Sequence, residues 1–383
     1  MNTSVYLDCA STTPVRKEVI EAMLPYFNQE FANPSGLYDI AVKNKVQIEK
    51  TRAIIAETLG CKKNEIYFTS GGTESDNWAI RIAVEHSQNS KPHIITSKIE
   101  HHAILRTCEF YEKCGVEVTY LDVDADGIVN LNQLENSIKS NTVLISIMTA
   151  NNEIGVIQPL KIIGEIAERH NVPFHTDAVQ AYGHMKISVT DNNISMLSAS
   201  AHKFNGPKGV GFLYISDVVP KVSLLYGGSQ EEGFRAGTEN VPGIVGMGVA
   251  ARLSYEDLDN VQISIASKRD YLIKRIKDEI DGAYLNGSIN NRLSNNINFC
   301  FEEINGSMLL RLLNQKKIYV SSGSACNSKS ILPSHVLIAI GVPDELALGA
   351  LRITIDDSLT RYQMDELISD LKDAVETVRN FSS

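Results

Sequence analysis

Between about Pro14 and Gly246, short apolar runs alternate with helix-patterned stretches, and this alternation limits most strongly what the chain can fold into. The runs cover residues 65–68, 93–96, 117–121, 143–147, 172–175, 194–199 and 209–215. Alternation of this kind predicts a mostly parallel sheet with helices on both faces, because every parallel pairing needs a crossover that covers one face. Ligands of such sheets bind beyond the C-terminal ends of the strands. The segments that follow the runs are therefore where chemistry is expected.

After about Ser254 the pattern changes to a long amphipathic helix over 261–280, a strand at 295–301, a helix at 307–314, a strand at 351–355 and a charged terminal helix over 364–380. This reads as a smaller α/β domain. At 383 residues the chain can bury one large core and a second, smaller one. The division expected is a large domain over 14–254 and a small domain over 255–383.

Three segments after strand-like runs carry the chemical signal. Lys203 lies in Ser200, Ala201, His202, Lys203, Phe204, Asn205 and Gly206, just beyond the run 194–199. A strand end inside an α/β crevice destabilises an ammonium, which suits a lysine that forms a Schiff base; the plainer reading is a surface or phosphate-contacting lysine. Asp177 follows the run 172–175 and is read either as a helix cap or as the carboxylate facing a pyridinium nitrogen. Gly71, Gly72 and Thr73 join the run 65–68 to a helix that begins near Thr73. Paired glycines at a helix start let the backbone approach a phosphate, although Thr73 is also a good N-cap on its own account. A lysine, a carboxylate and a phosphate cradle in one crevice are what pyridoxal phosphate asks of a protein.

Composition narrows the class. A net charge of −10 argues against nucleic-acid binding. The N-terminus lacks the basic region and apolar stretch of a signal peptide, and no run reaches the length of a membrane span, so a cytoplasmic protein without membrane contact is expected. The six cysteines, Cys9, Cys61, Cys108, Cys114, Cys300 and Cys326, lack metal-ligand spacing. All but Cys326 are expected to pack as small hydrophobes. No metal is expected.

Ten separated segments place the chain beside a known family. They are residues 6–8, 33–35, 69–77, 100–101, 151–155, 177–180, 200–209, 235–238 and 321–326, together with Arg352. In this order they resemble cysteine desulfurases of the NifS/IscS type, within the class V aminotransferase group of pyridoxal phosphate enzymes. The resemblance covers nearly the whole chain. It implies a fold type I enzyme in which residues 1–13 join the small domain, and which converts L-cysteine to L-alanine while leaving a persulfide on its own cysteine. A selenocysteine lyase or an aminotransferase of the same fold is the alternative.

The resemblance also implies residue roles. Lys203 would carry the cofactor and move the substrate Cα proton, Asp177 would face the ring nitrogen, and Gln180 and Asn152 would contact the ring hydroxyl. Gly72, Thr73, Ser200 and His202 match phosphate-binding positions, with Thr238 reaching the phosphate of a neighbouring subunit in a homodimer. His101, directly after Glu100, would stack on the ring and handle protons, leaving His102 structural. Arg352, with Asn33 and Asn152, would hold the substrate carboxylate; without the resemblance an ion pair with Asp356 or Asp357 is the favoured reading of Arg352. Cys326, in a run of small polar residues, would take the sulfur and pass it to an acceptor protein of an iron–sulfur, tRNA-thiolation or DNA-phosphorothioation pathway. Several positions depart from common family forms: Ser11, Tyr38, Ala41, Asp356 and Asp357. The chain also ends soon after its terminal helix, which favours the latter two pathways.

Overall fold

The computed structural model describes residues 4–322 and 332–382. Its strands are β1 (Val5–Tyr6), β2 (Ile66–Thr69), β3 (His93–Ser97), β4 (Glu117–Leu121), β5 (Thr142–Ser146), β6 (Phe174–Asp177), β7 (Met196–Ser200), β8 (Gly211–Ile215), β9 (Ala283–Leu285), β10 (Asn296–Phe301), β11 (Ile318–Tyr319) and β12 (Ala350–Thr354). The main sheet has the order β2-β8-β7-β6-β5-β3-β4. All of its strands run parallel except β8, which pairs antiparallel with both β2 and β7. The fold is the mostly parallel α/β sheet that the alternation predicts.

Strand burial explains why these runs are nearly continuous in apolar residues. β2, β3, β6, β7 and β8 are buried at every position, as strands covered by helices on both faces must be. Two cores account for this. Ile95, Ile145, Phe174, Leu197 and Phe212 belong to one, while Tyr67, Trp78, Ile94, Leu144 and Leu213 belong to the other.

Several strand starts differ from the sequence reading by one or two residues, and two of them have a local cause. β6 begins at Phe174 because Pro173 has no N–H to give to a ladder. β7 begins at Met196 because Asn193, at φ 47°, turns the chain first and sends the Ile194 N–H back to Val189.

A three-stranded antiparallel sheet, β12-β10-β9, forms elsewhere with its own core, including Ile297, Phe299, Leu351 and Ile353. The helices Leu258–Glu279 and Arg361–Ser382 pack into that core through Ile265, Leu272, Ile276, Leu371 and Val375. The N-terminal segment joins it as well. β1 pairs parallel with β11, Leu7 is buried in the core, and Asp8 bridges to Thr354. No helix among the described residues is long and apolar enough to cross a membrane. Of the cysteines, Cys9, Cys108 and Cys300 are buried as expected, but Cys61 is only partly covered and Cys114 is exposed at the end of the helix His102–Lys113. Cys326 lies outside the described residues.

Candidate active site

Parallel strands bring their C-terminal ends to one edge of a sheet, and that edge here opens into a cleft of about 300 Å³. β2 leads to Gly72 and Thr73, β3 to His101, β5 to Met148 and Asn152, β6 to Asp177, and β7 to Ser200, His202 and Lys203. Arg352, from the middle of β12, and the N-terminal Ala10 and Ser11 close the other side. Gln180 completes the set. Residues far apart in sequence meet because the strands that carry them end in register.

The start of the helix Gly72–His86 needs its glycines. A Cβ on Gly72 would sit 2.5 Å from the Val179 side chain, and Gly71 has φ 153°. The helix begins at Gly72, so Thr73 is inside its first turn and Gly71 is the N-cap, without a side-chain cap bond. The capping reading of Thr73 is therefore set aside. Its side chain lines the cleft instead.

The floor of the cleft is acidic and buried, and removal from water weakens its acids. Burial pushes Asp177 up to about 6, although its carboxylate accepts the Val179 N–H at 2.8 Å and faces the Lys203 charge. Asp76, also in the lining, is raised by burial and then by Asp177, and its Oδ1 has no hydrogen-bond partner. Beneath them, burial holds His175 down at about 3 while Ser146 and Ser198 bond its two ring nitrogens at 2.9 and 3.0 Å. Glu100 is pushed up to about 8 by burial despite bonds from the Ser97 hydroxyl and the Met148 N–H.

His101 N-caps the helix that follows it, with Nδ1 accepting the Ala103 N–H at 3.1 Å. Burial first, and then the charge of Lys203, hold it down at about 4, so the imidazole is neutral near pH 7. His102 lies outside the cleft lining and faces the His335 ring at 4.9 Å.

The basic side chains of the cleft are held by the N-terminal segment and by Asn152. Lys203 Nζ donates to the carbonyls of Ala10 at 2.5 Å and Ser11 at 2.9 Å. Arg352 donates through Nη2 to Asp8 at 2.6 Å and to the Ser11 hydroxyl at 2.9 Å, and through Nη1 to the Asn152 carbonyl at 2.9 Å. The ion-pair reading with Asp356 or Asp357 is corrected, because Asp357 bonds Ser264 and Lys268 instead. Asp8 and Ser11 as partners of Arg352, and Asp76 on the floor, were not legible beforehand. Hydrogen bonds between Thr354 and Leu7, Cys9 and Ala10 bring residues 8 and 352 together.

Two sequence-derived site residues stand apart. Asn33 is exposed, with its side chain accepting the Ser35 N–H, and Thr238 is exposed beyond the cleft lining. No cluster of three or more His, Cys, Asp or Glu side chains suited to a metal occurs among the described residues.

Comparison with known proteins agrees with this geometry. The family model described as aminotransferase class-V matches residues 5–367. A cysteine desulfurase IscS from Methanosarcina thermophila is 51% identical over 381 residues, covering 100% of this chain and 94% of the relative. Among solved structures, a NifS-like protein superposes with a TM-score of 0.92 at 36% identity, covering 98% of this chain and 100% of the other. A structure described as SspA in complex with cysteine superposes at 0.83 with 41% identity, covering 93% and 99% of the two chains. With a family match spanning nearly its whole length and a relative identical at half of all positions, this chain belongs to the class-V aminotransferase family.

Proposed function

We propose that the chain is a cysteine desulfurase that uses pyridoxal phosphate to take sulfur from L-cysteine onto Cys326, leaving L-alanine. The observation that carries the reading is the single cleft in which Lys203, Asp177, His101 and Arg352 meet. The relatives named cysteine desulfurase and the neighbour solved with cysteine support the reaction and the substrate.

The residues present fit the cofactor. Gly72, Thr73, Ser200 and His202 line the cleft where the helix Gly72–His86 begins, so its free N–H groups can meet an anion. The buried Asn152 Oδ1 and Asp76 Oδ1 lack partners, as groups awaiting a polar ligand would. Once bound, the cofactor supplies an electron sink for the carbanion formed when the substrate loses its Cα proton. Asp177 holds negative charge against the ring nitrogen, helped by the Val179 N–H. Lys203 would hold the cofactor in place of its two carbonyl contacts and, once the substrate amine displaces it, its free amine could take the proton from Cα. His101, neutral at pH 7, lies on the cleft wall where its imidazole can accept and return a proton. Arg352 orients the substrate carboxylate through its forked donors, two of which already face oxygen atoms. The thiolate of Cys326 attacks the substrate sulfur: an S–S bond forms, the Cβ–S bond breaks with its electron pair left on carbon, and a proton on that carbon completes L-alanine.

The same reading makes the protein a homodimer that hands sulfur to an acceptor protein. Phe27, Phe31, Leu37, Tyr38, Val42 and Val46 are exposed near Asn33, more apolar surface than a lone chain usually presents. Thr238, outside its own cleft, is left to complete the phosphate site of the second copy.

The experiment is Cys326→Ser in the cofactor-loaded protein. It should retain the absorbance change on adding L-cysteine and form neither persulfide nor alanine. Alanine formation at the wild-type rate would overturn the reading.

A further inference from the structure

Glu153 is buried, belongs to none of the groups that line the cleft, and yet connects three parts of the site. Its N–H donates to the Asn151 side chain at 2.8 Å, and its carbonyl accepts from Asn296 and Asn298 of β10 at 3.2 and 3.0 Å. Its carboxylate Oε2 accepts the Ser334 hydroxyl at 2.5 Å. Ser334 in turn caps the one-turn helix His335–Ala339, accepting the N–H groups of Val336 and Leu337. The serine oxygen thus spends its one proton on Glu153 and its lone pairs on the helix.

The neighbour of Glu153 completes the pattern. Asn152 gives its carbonyl to Arg352, and the Arg352 backbone exchanges two hydrogen bonds with Ser321, at 3.2 and 2.6 Å. Ser321 and Ser334 stand just before and just after residues 323–331, which include Cys326. Both flanks are therefore tied to the residues that grip the substrate carboxylate, one through β12 and the other through Glu153. Burial raises the Glu153 carboxyl, and the Ser334 hydroxyl, Arg352 and His102 pull it back.

We propose that Glu153 is a positioning residue for sulfur transfer, holding Ser334 so that the downstream flank of the Cys326 segment stays fixed relative to Asn152 and Arg352. This rests on the desulfurase reading above. Attack by a side chain of the same molecule has a rate set by effective concentration and alignment. Loosening the helix His335–Ala339 lowers effective concentration by only about twofold, whereas ~1 Å of misplacement costs up to about a hundredfold. The expected loss lies between them, at about tenfold.

The test is single-turnover persulfide formation by cofactor-loaded protein mixed with L-cysteine, comparing Glu153→Ala, Glu153→Gln, Ser334→Gly and the double variant Glu153→Ala with Ser334→Gly. Glycine is a tolerated N-cap, so Ser334→Gly removes the hydroxyl with little cost to the helix and remains informative if Glu153→Ala fails to fold. Glu153→Ala and Ser334→Gly should each slow persulfide formation about tenfold, with the double variant no slower than either single one. Glu153→Gln, whose amide oxygen still accepts the hydroxyl, should run near the wild-type rate. KM for L-cysteine and the cofactor absorbance change should stay unaltered in all four. Wild-type persulfide formation by Ser334→Gly, losses that multiply in the double variant, or a rise in KM equal to the loss in rate would each overturn the proposal. Cys326→Ser keeps the two readings apart: if that variant still makes alanine, the desulfurase reading fails, and if it is inactive while Ser334→Gly is unimpaired, only the role of Glu153 fails.

Discussion

The floor of the cleft and the wall facing it handle charge in opposite ways. On the floor, Asp76, Glu100, Asp177 and His175 are fully buried on or next to sheet strands, and removal from water pushes the acids up and the histidine down. Arg352 across the cleft, and Lys203 reaching over from the end of β7, make contacts that stabilise a cation, drawn from a carboxylate, a hydroxyl and three backbone carbonyls. A rigid sheet can hold a protonated acid such as Glu100 in place without a counter-ion, while Asp177, at about 6 and facing Lys203, keeps its charge near pH 7. A wall that must receive an anionic substrate has to keep its positive charge ready, and its partners are ones a substrate carboxylate can displace.

The sharpest way to break this contrast is at Lys203. Lys203→Ala should lose covalent cofactor attachment and lower desulfurase activity by about 10⁴-fold, since it removes both attachment and the proton acceptor. Borohydride reduction followed by peptide mapping of the wild type should place the label on Lys203. A label on Lys208 would show that the wall had been misassigned.

Arg352→Lys tests whether the wall binds substrate through its forked geometry. The charge survives beside Asp8, but one of two parallel donors is lost, so KM for L-cysteine should rise about 10- to 100-fold with a smaller change in kcat. Steady-state kinetics decide; a fall in kcat at unchanged KM would point to a structural role for the arginine.

Glu100→Gln tests the floor. With the folded carboxyl raised to about 8 from the ordinary 4.5, the folded protein holds a proton that the unfolded chain releases. Wild-type stability from this group is therefore lost as pH rises from 4.5 towards 8, by at most about 1.4 kcal/mol per unit. The amide has no such slope, so denaturation of the cofactor-free proteins should favour Glu100→Gln increasingly between pH 5 and 8, values that bracket most of the shift. A constant difference across that range would mean that Glu100 is ionised throughout.

Asp8→Asn should have the smallest effect. Removing the charge that competes for Arg352 should lower KM for L-cysteine by about two- to fivefold, within the range of a partly exposed ion pair. An increase in KM would show that Asp8 serves mainly to aim the guanidinium.

Reading from the sequence was most successful where a local pattern has one physical solution. Glu117–Leu121 was read with both ends correct because an apolar run between turn signals can do little else but pair. Lys203, Asp177 and the Gly72–Thr73 turn were found because each lies a few residues beyond such a run, where the end of a parallel strand leaves room for a ligand, whereas His101 was singled out only through the family resemblance. Arg352 was singled out, but its partner was assigned to the nearest acids in sequence. Asp8 reaches it only through the bridge between the N-terminal segment and β12, a contact spanning almost the whole chain. Asp76 was missed because, in sequence, an acid within the first turns of a helix has an ordinary explanation in the helix dipole.

The sequence by itself determined the alternating architecture and the edge of the sheet that carries the site, because periodicity and turn chemistry act over a few residues; the order of the strands along that edge came from tertiary pairing. Only the tertiary structure decided which charges survive. Whether Asp76 and Glu100 are neutral, whether Arg352 faces Asp8 or Asp357, and whether Glu153 reaches Ser334 depend on desolvation and on contacts between distant segments. Those contacts are set by how the two sheets pack against the N-terminal segment, and no local pattern encodes that distance.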